Sequence, residues 1–340
     1  MKIKLTSIVF GTALALGVTA ASAGETYDAI KARGELNCGV STGLAGFAAP
    51  DDSGEWSGLD VEFCRAVAAA VIGDPKKVKF VPTTSKERFT ALQSGEIDML
   101  ARNTTWTFSR DVQLGFEFTG VNYYDGQGFM APKELGVTSA LQLDGAKVCV
   151  QTGTTTELNL ADYFGANNMK YTALPIETND EARENYVNGA CDVLTTDASG
   201  LAATRSTLPD PSKHILLPEI ISKEPLGPVV RHGDNNWGDI VRWTLNAMII
   251  AEEKGVTSAN VDDMKANTSD PEIKRLLGTD GDMGKQLGLD GDWAYRVIKM
   301  VGNYGESFER NVGASTPLGL ERGLNQLWSK GGILYSAPMR

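Results

Sequence analysis

The sequence predicts an α/β fold built from two units, and three observations predict it. Strand and helix signals alternate from Leu36 to Ala101. The same alternation restarts after Met130-Ala131-Pro132, and an extended segment, Pro225 to Arg231, then leads into a long helix. A β-α-β-α-β order implies parallel strands with right-handed crossovers.

Each element has its own signal. Leu36 to Val40 is a short apolar strand and Gly43 to Phe47 a loop. Val61, Cys64, Val67, Ala68 and Val71 recur at helical spacing, and Val78 to Val81 is a second strand. Thr84, with Glu87 three residues on, forms a capping box for a helix that runs to about Ser94. Ile97 to Ala101 is the third strand. In the second unit Lys147 to Gln151 is a strand, Thr152 to Thr156 opens a helix, and Lys170 to Leu174 is a strand. Glu181 to Asn188 is helical, and Asp192 to Thr195 is a strand ending at Asp197. After the extended return a helix begins near Trp237. The chain therefore crosses between units twice, and both crossings are rich in Gly and Pro, as extended hinge strands are.

The amino terminus sets an expected compartment. Lys2 and Lys4 precede an apolar core from Ile8 to Val18, and Ala21-Ser22-Ala23 supplies a small-x-small cleavage signal. The apolar run is short and broken by Thr and Gly, too short for a retained span. No cysteine follows the cleavage point, which argues against a lipid anchor. Cleavage after Ala23 would leave 317 of the 340 residues and, with Lys2 and Lys4 gone, move the formal charge from −11 to −13. So acidic a chain is a poor match for nucleic acid or an anionic membrane. It also makes any anion-binding arginine conspicuous.

Four cysteines in an exported chain suggest two disulfides, with three possible pairings. Pairing within each unit joins Cys38 to Cys64 and Cys149 to Cys191; four buried free thiols are the alternative. No CxxC or Cys/His cluster supports a metal, and no phosphate loop or dinucleotide fingerprint supports a cofactor. His214 and His232 have no triad setting. Asp280-Gly281-Asp282 and Asp290-Gly291-Asp292 lack the twelfth-position Glu of a calcium loop and are turns.

Function is most legible in Gly95 to Arg110. The third strand runs into a loop, Arg102-Asn103-Thr104-Thr105-Trp106-Thr107-Phe108-Ser109-Arg110, rich in hydroxyl and amide groups and closed by an arginine. Loops at the carboxyl ends of strands are where open α/β sheets hold ligands. A guanidinium among such donors suits a carboxylate. In the second unit Gly153-Thr154-Thr155-Thr156-Glu157 opens a helix whose first N–H groups lack intrahelical acceptors.

The Gly95–Arg110 stretch closely resembles the first-lobe ligand loop of the bacterial periplasmic amino-acid-binding proteins, the solute receptors of ABC importers. Gly302-Asn303-Tyr304-Gly305-Glu306, Gly319 to Asn325 and Gly331 to Tyr335 resemble the carboxyl-terminal extension of that family's broad-specificity branch, the general L-amino-acid and glutamate/glutamine/aspartate/asparagine receptors. The resemblance covers nearly the whole chain after the export signal. It implies the type II periplasmic-binding-protein fold: two open α/β lobes joined by two hinge crossings. Residues 24–127 and 229–340 would form lobe 1 and residues 128–228 lobe 2, with 1–23 removed.

By the same resemblance, Arg110 clamps the α-carboxylate of a bound amino acid, with Thr105 contributing a hydroxyl and backbone N–H, and Asn103 its backbone carbonyl for the ammonium. Thr154 and Thr155 are the second-lobe carboxylate contacts, and Asp197 pairs with the ammonium. Each has a plainer alternative: a surface ion pair for Arg110, helix N-caps for Thr154 and Asp197. Leu44 stands where narrower relatives carry an aromatic that packs on the ligand, which would relax selection. Arg102 is positioned for an acidic or amide side chain, or else faces solvent. Trp106 walls the pocket or packs under the loop. The implied function is capture of L-amino acids, acidic and amide ones preferred, by hinge closure and delivery to an inner-membrane permease with its ATPase. No cofactor and a monomer are implied. Exported dehydratases and peptidoglycan-cleaving enzymes share this architecture and are the competing class. They need an acid or base aimed into the cleft beyond the zwitterion contacts, and the sequence offers no such group. A sensor domain is the third class, without a span or signalling domain after it.

Overall fold

The computed structural model describes residues 24–340, so the expected export signal lies outside the described residues. Two five-stranded sheets organise the chain. In the first, the order is Val78–Thr83, Leu36–Ser41, Met99–Leu100, Val229–Arg231, Phe116–Phe118; the first three pair in parallel, and the fourth runs antiparallel to both of its neighbours. The second repeats the arrangement with Tyr171–Ile176, Ala146–Gln151, Val193–Asp197, Gln127–Pro132 and His214–Leu216. Each sheet is thus parallel only over the three strands of its own β-α-β-α-β unit. The antiparallel strands sit where the chain arrives from, or leaves for, the other sheet.

Ile97 to Ala101 is wholly buried, yet only Met99 and Leu100 pair as strand. The Thr84–Glu87 box forms as expected, with Glu87 N donating to Thr84 Oγ1 at 3.2 Å, but the helix proper starts one turn later, at Arg88. That turn carries Ser85 and Arg88 to the cleft.

Two crossing segments join the sheets, and they pair with each other: Glu224–Leu226 runs antiparallel to Tyr123–Asp125. They meet closely at Gly227, where a Cβ would lie 2.0 Å from the Gly120 carbonyl oxygen, so no larger residue fits there. The tail braces this hinge. Asn325 exchanges two hydrogen bonds with the Tyr124 backbone, at 2.6 and 3.0 Å, and Tyr304 Oη donates to the Asn122 carbonyl at 2.7 Å.

One apolar core unites the helix Leu59–Val71, the long helix Asn235–Glu253 and the carboxyl-terminal helices Trp293–Met300 and Tyr304–Asn311. Smaller cores lie on each face of the second sheet. The disulfides pair within units: Cys38 with Cys64, pinning the first strand to the following helix, and Cys149 with Cys191.

Candidate functional site

The carboxyl ends of both sheets' parallel strands face one another across the cleft, and the site is built from the loops there. From the first sheet, Asn103 takes a left-handed conformation, φ 33°, which Asn tolerates better than most residues. Its N–H donates to Asp60 Oδ2 at 3.0 Å, and its Nδ2 crosses the cleft to Asp197 Oδ2 at 3.3 Å. Asp197 ends its strand as expected and precedes a helix, but its side chain caps nothing. The N-cap alternative for Asp197 therefore fails, and its carboxylate points at the other lobe.

A small cavity of about 20 Å³ lies between the lobes, bordered among others by Arg88, Arg102, Asn103, Thr105, Thr155 and Asp197. Three side-chain atoms around it are buried without a hydrogen-bond partner: Arg88 Nε, a donor, and Asn103 Oδ1 and Asp197 Oδ1, both acceptors. Buried polar atoms are normally paired, and unpaired ones cost free energy. The set asks for an occupant that accepts at one end and donates at the other.

Arginines are concentrated here. Arg102 is not solvent-facing: it is 2% exposed, and donates from Nε to the Thr83 carbonyl at 3.0 Å and from Nη2 to Ser85 Oγ at 3.0 Å. Arg110 is likewise buried, which overturns the surface-ion-pair alternative; its Nη1 donates to the Thr105 carbonyl at 2.8 Å. No other guanidinium nitrogen of Arg110 donates to an acceptor among the described residues. It lies behind the cavity border, over the Phe89 ring, which it shares with Arg88 at 5.2 and 4.9 Å. Burial pushes Arg102 and Arg110 down to about 10 and Arg88 lower than its usual value; all remain the donors of the site.

The acids answer them. Burial, then the neighbouring Asp125 and Glu224 charges, raises Asp197 well above the usual carboxylate range. Burial likewise pushes Asp60 and Asp125 up to about 6. An ionised Asp197 is strained by these surroundings, and a cation beside it would relieve it.

The threonines behave differently from expectation. Thr105 and Thr155 do meet across the cleft, with hydroxyls 3.4 Å apart, but both donate to Glu224 Oε2, at 2.6 and 2.9 Å. Asn159 and Ser222 donate to the other oxygen at 2.8 and 2.6 Å. Glu224 sits on a crossing strand, so a single hinge carboxylate ties both lobes. Thr154 is indeed the N-cap, accepting from Glu157 N at 3.2 Å, and Thr154, Thr155 and Thr156 all border the cavity. Leu44 is buried, one compartment further out. Trp106 corrects its expectation as a pocket wall: it stacks on Phe118 at 5.6 Å, donates to Asp111 and is 42% exposed, outside the cavity border.

Sequence reasoning missed Arg88 and Glu224. Arg88 was hidden inside a helix pattern, and its displacement to the cleft depends on the extra turn before the helix. Glu224 precedes a proline in an extended segment, where nothing distinguishes a buried acid from a solvated one.

Residues 36–254 match the family model described as bacterial extracellular solute-binding proteins, family 3. This chain belongs to that family. Among curated members, it is 61% identical to the glutamate/glutamine/aspartate/asparagine-binding protein BztA of Rhodobacter capsulatus, over 98% of this chain and 99% of that one. It is 62% identical to the general L-amino acid-binding periplasmic protein AapJ of Rhizobium johnstonii, over the full length of both. Among solved structures, an ABC transporter periplasmic binding protein from Brucella ovis with glutathione bound superposes with a TM-score of 0.91. It is 59% identical and covers 93% of this chain and 99% of that one. The family's two-lobed fold and the two sheets described above agree, and these relatives are named as binding proteins, not enzymes.

Proposed function

We propose that this family 3 protein is a periplasmic receptor for L-amino acids that closes on its ligand and delivers it to an ABC-type permease. The observation that carries the reading is the trio of unpartnered buried atoms around one interlobe cavity, Arg88 Nε, Asn103 Oδ1 and Asp197 Oδ1. A zwitterion supplies the missing partners: its carboxylate accepts from guanidinium, and its ammonium donates to the two oxygens. Arg110, with free donors behind Thr105, and Arg88 are the carboxylate ligands, joined by N–H groups at the start of the Thr155–Ala166 helix. Arg102, on the same cavity border, favours acidic and amide side chains.

Closure is a population shift: only the closed state lets one ligand touch both lobes, so the ligand favours it. We take residues 24–127 and 229–340 as lobe 1 and 128–228 as lobe 2, with Glu224 tying them. Residues 1–23 serve as the export signal, and the receptor acts as a monomer without a cofactor. The relatives' names, covering essentially the whole chain, support the ligand class and the transport role. The test is calorimetric titration of refolded, ligand-stripped protein against L- and D-amino acids. Charge-assisted hydrogen bonds at roughly 1.5–3 kcal/mol each, less association costs, give a Kd of about micromolar or tighter. Glutamate, glutamine, aspartate and asparagine should bind; no heat with glutamate or glutamine overturns the reading.

A further inference from the structure

Contacts cross the cleft in more than one place. At the ligand site Asn103 reaches Asp197, and the Thr105 and Thr155 hydroxyls meet. Asn179 makes a separate crossing. Its Nδ2 donates to Ser41 Oγ at 3.0 Å and to the Gly43 carbonyl at 2.9 Å. Asn179 is not among the residues that border the ligand cavity, and the proposed function gives its two hydrogen bonds no role.

Both partners of this contact are fixed within their own lobes. Asn179 opens the helix Asn179–Val187, which follows the strand Tyr171–Ile176. Thr178 caps that helix, its hydroxyl accepting from Glu181 N at 3.2 Å, and Gln151 Nε2 donates to the Glu177 carbonyl at 3.4 Å. On the other side Ser41 ends the strand Leu36–Ser41 and is 1% exposed. Gly43 has φ 146°, a conformation that residues with a side chain rarely adopt. With both ends anchored, the two hydrogen bonds form when the lobes meet and break when they part. Lys86 and Glu177 also span the lobes, at 2.9 Å, but their side chains are 53% and 60% exposed, and such pairs contribute little.

We propose that Asn179 is a closure latch, a positioning residue that holds the second lobe on Ser41 and Gly43 without touching the ligand. The inference rests on the receptor reading above and adds to it. A ligand shifts the population towards the closed state through its own contacts. The latch adds a contribution that comes from the protein and is the same for every ligand. A receptor built this way needs less from each ligand's side chain, which suits one that takes several amino acids.

The test measures, by stopped-flow fluorescence, release of L-glutamine, L-glutamate, L-asparagine and L-aspartate from the full mature protein. Asn179→Ala removes both donors of the latch. Release should become roughly 5- to 100-fold faster, the worth of two neutral hydrogen bonds. The factor should agree within about threefold across the four ligands, as no side-chain contact would give. Ser41→Ala, on the other lobe, tests the contact without disturbing the helix start, and should speed release of all four by a smaller factor. The double variant should release no faster than Asn179→Ala. Thermal melts of the ligand-free variants check the fold, and Ser41→Ala decides alone where Asn179→Ala does not fold. Release within twofold of wild type overturns the latch and leaves the receptor reading standing. Faster release confined to one or two ligands also overturns it, making Asn179 a ligand contact. Additive effects in the double variant overturn the cross-lobe pairing. Wild-type protein that binds none of the four overturns the amino-acid reading, and the latch with it.

Discussion

Replacing Asp197 with Asn separates binding from stability, because the two should move in opposite directions. The carboxylate is 5% exposed, one oxygen accepts from Asn103, and the other has no partner. Its neighbours Asp125 and Glu224 are acidic, and burial with those charges raises its pKa. With no ligand, an ionised Asp197 at neutral pH is therefore unfavourable in the folded state and costs nothing in the unfolded one. Asn keeps the shape, removes the charge and should raise the melting temperature of the ligand-free protein. Binding should suffer. Removing one partner of a buried, hydrogen-bonded charge pair costs roughly 2–5 kcal/mol. At about 1.4 kcal/mol per tenfold, affinity for L-glutamate should fall from about 30-fold to several thousand-fold. Calorimetric titration and a thermal melt on the same sample measure both effects. Glutamate binding within threefold of wild type would refute the ammonium role, and a lower melting temperature would refute the electrostatic account of the empty site.

Arg110→Ala should reduce amino-acid affinity by at least 30-fold with the fold intact by circular dichroism, since it deletes a buried guanidinium, 6% exposed, with donors to spare. Glu224→Ala leaves Thr105, Thr155, Asn159 and Ser222 without their shared acceptor. It should open the ligand-free protein, read as a larger radius of gyration in small-angle scattering. Asp60 and Asp125 have folded pKa values near 6, raised by burial from 3.8. The stability they contribute is full below about 4 and is lost as pH rises through 6, so the ligand-free melting temperature should climb from pH 7.5 to pH 5.5. A fall over that interval would contradict the assignment. Reducing the disulfides should cost about 3.5 kcal/mol for Cys38–Cys64 and about 4 kcal/mol for Cys149–Cys191 in the loop-entropy account, from separations of 26 and 42 residues. Thermal melts of the separate Cys→Ser pairs check the order.

The fold was legible because its signals are local and repeat. Two strand–helix alternations, a capping box at Thr84 and an extended Gly/Pro return each report on a few adjacent residues. The edge strands at each sheet's far side were not, since Phe116–Phe118 and His214–Leu216 are three residues long and each pairs only with the reversed strand beside it. At the cleft, the position of Asp197 could be expected because it ends the strand Val193–Asp197, whereas Arg110 lies on the short helix Ser109–Gln113, ten residues past the strand Met99–Leu100. Trp106 could not: an aromatic in a polar loop fits either wall or packing, and its stacking on Phe118 depends on a strand ten residues later. Hydroxyl roles were the least legible. Thr105 and Thr155 donate to a carboxylate about 119 and 69 residues away, a contact that exists only once the hinge strands have paired.

The central claim is that a zwitterion bridges arginine on one lobe and Asp197 on the other. The measurement that tests it most directly is a crystal structure of the mature protein with L-glutamate. The account expects the ammonium within hydrogen-bond distance of Asp197 Oδ1 and Asn103 Oδ1, and the α-carboxylate on the Arg88–Arg110 guanidinium pair. An ammonium in contact with neither oxygen, or a carboxylate away from all three arginines, would contradict it.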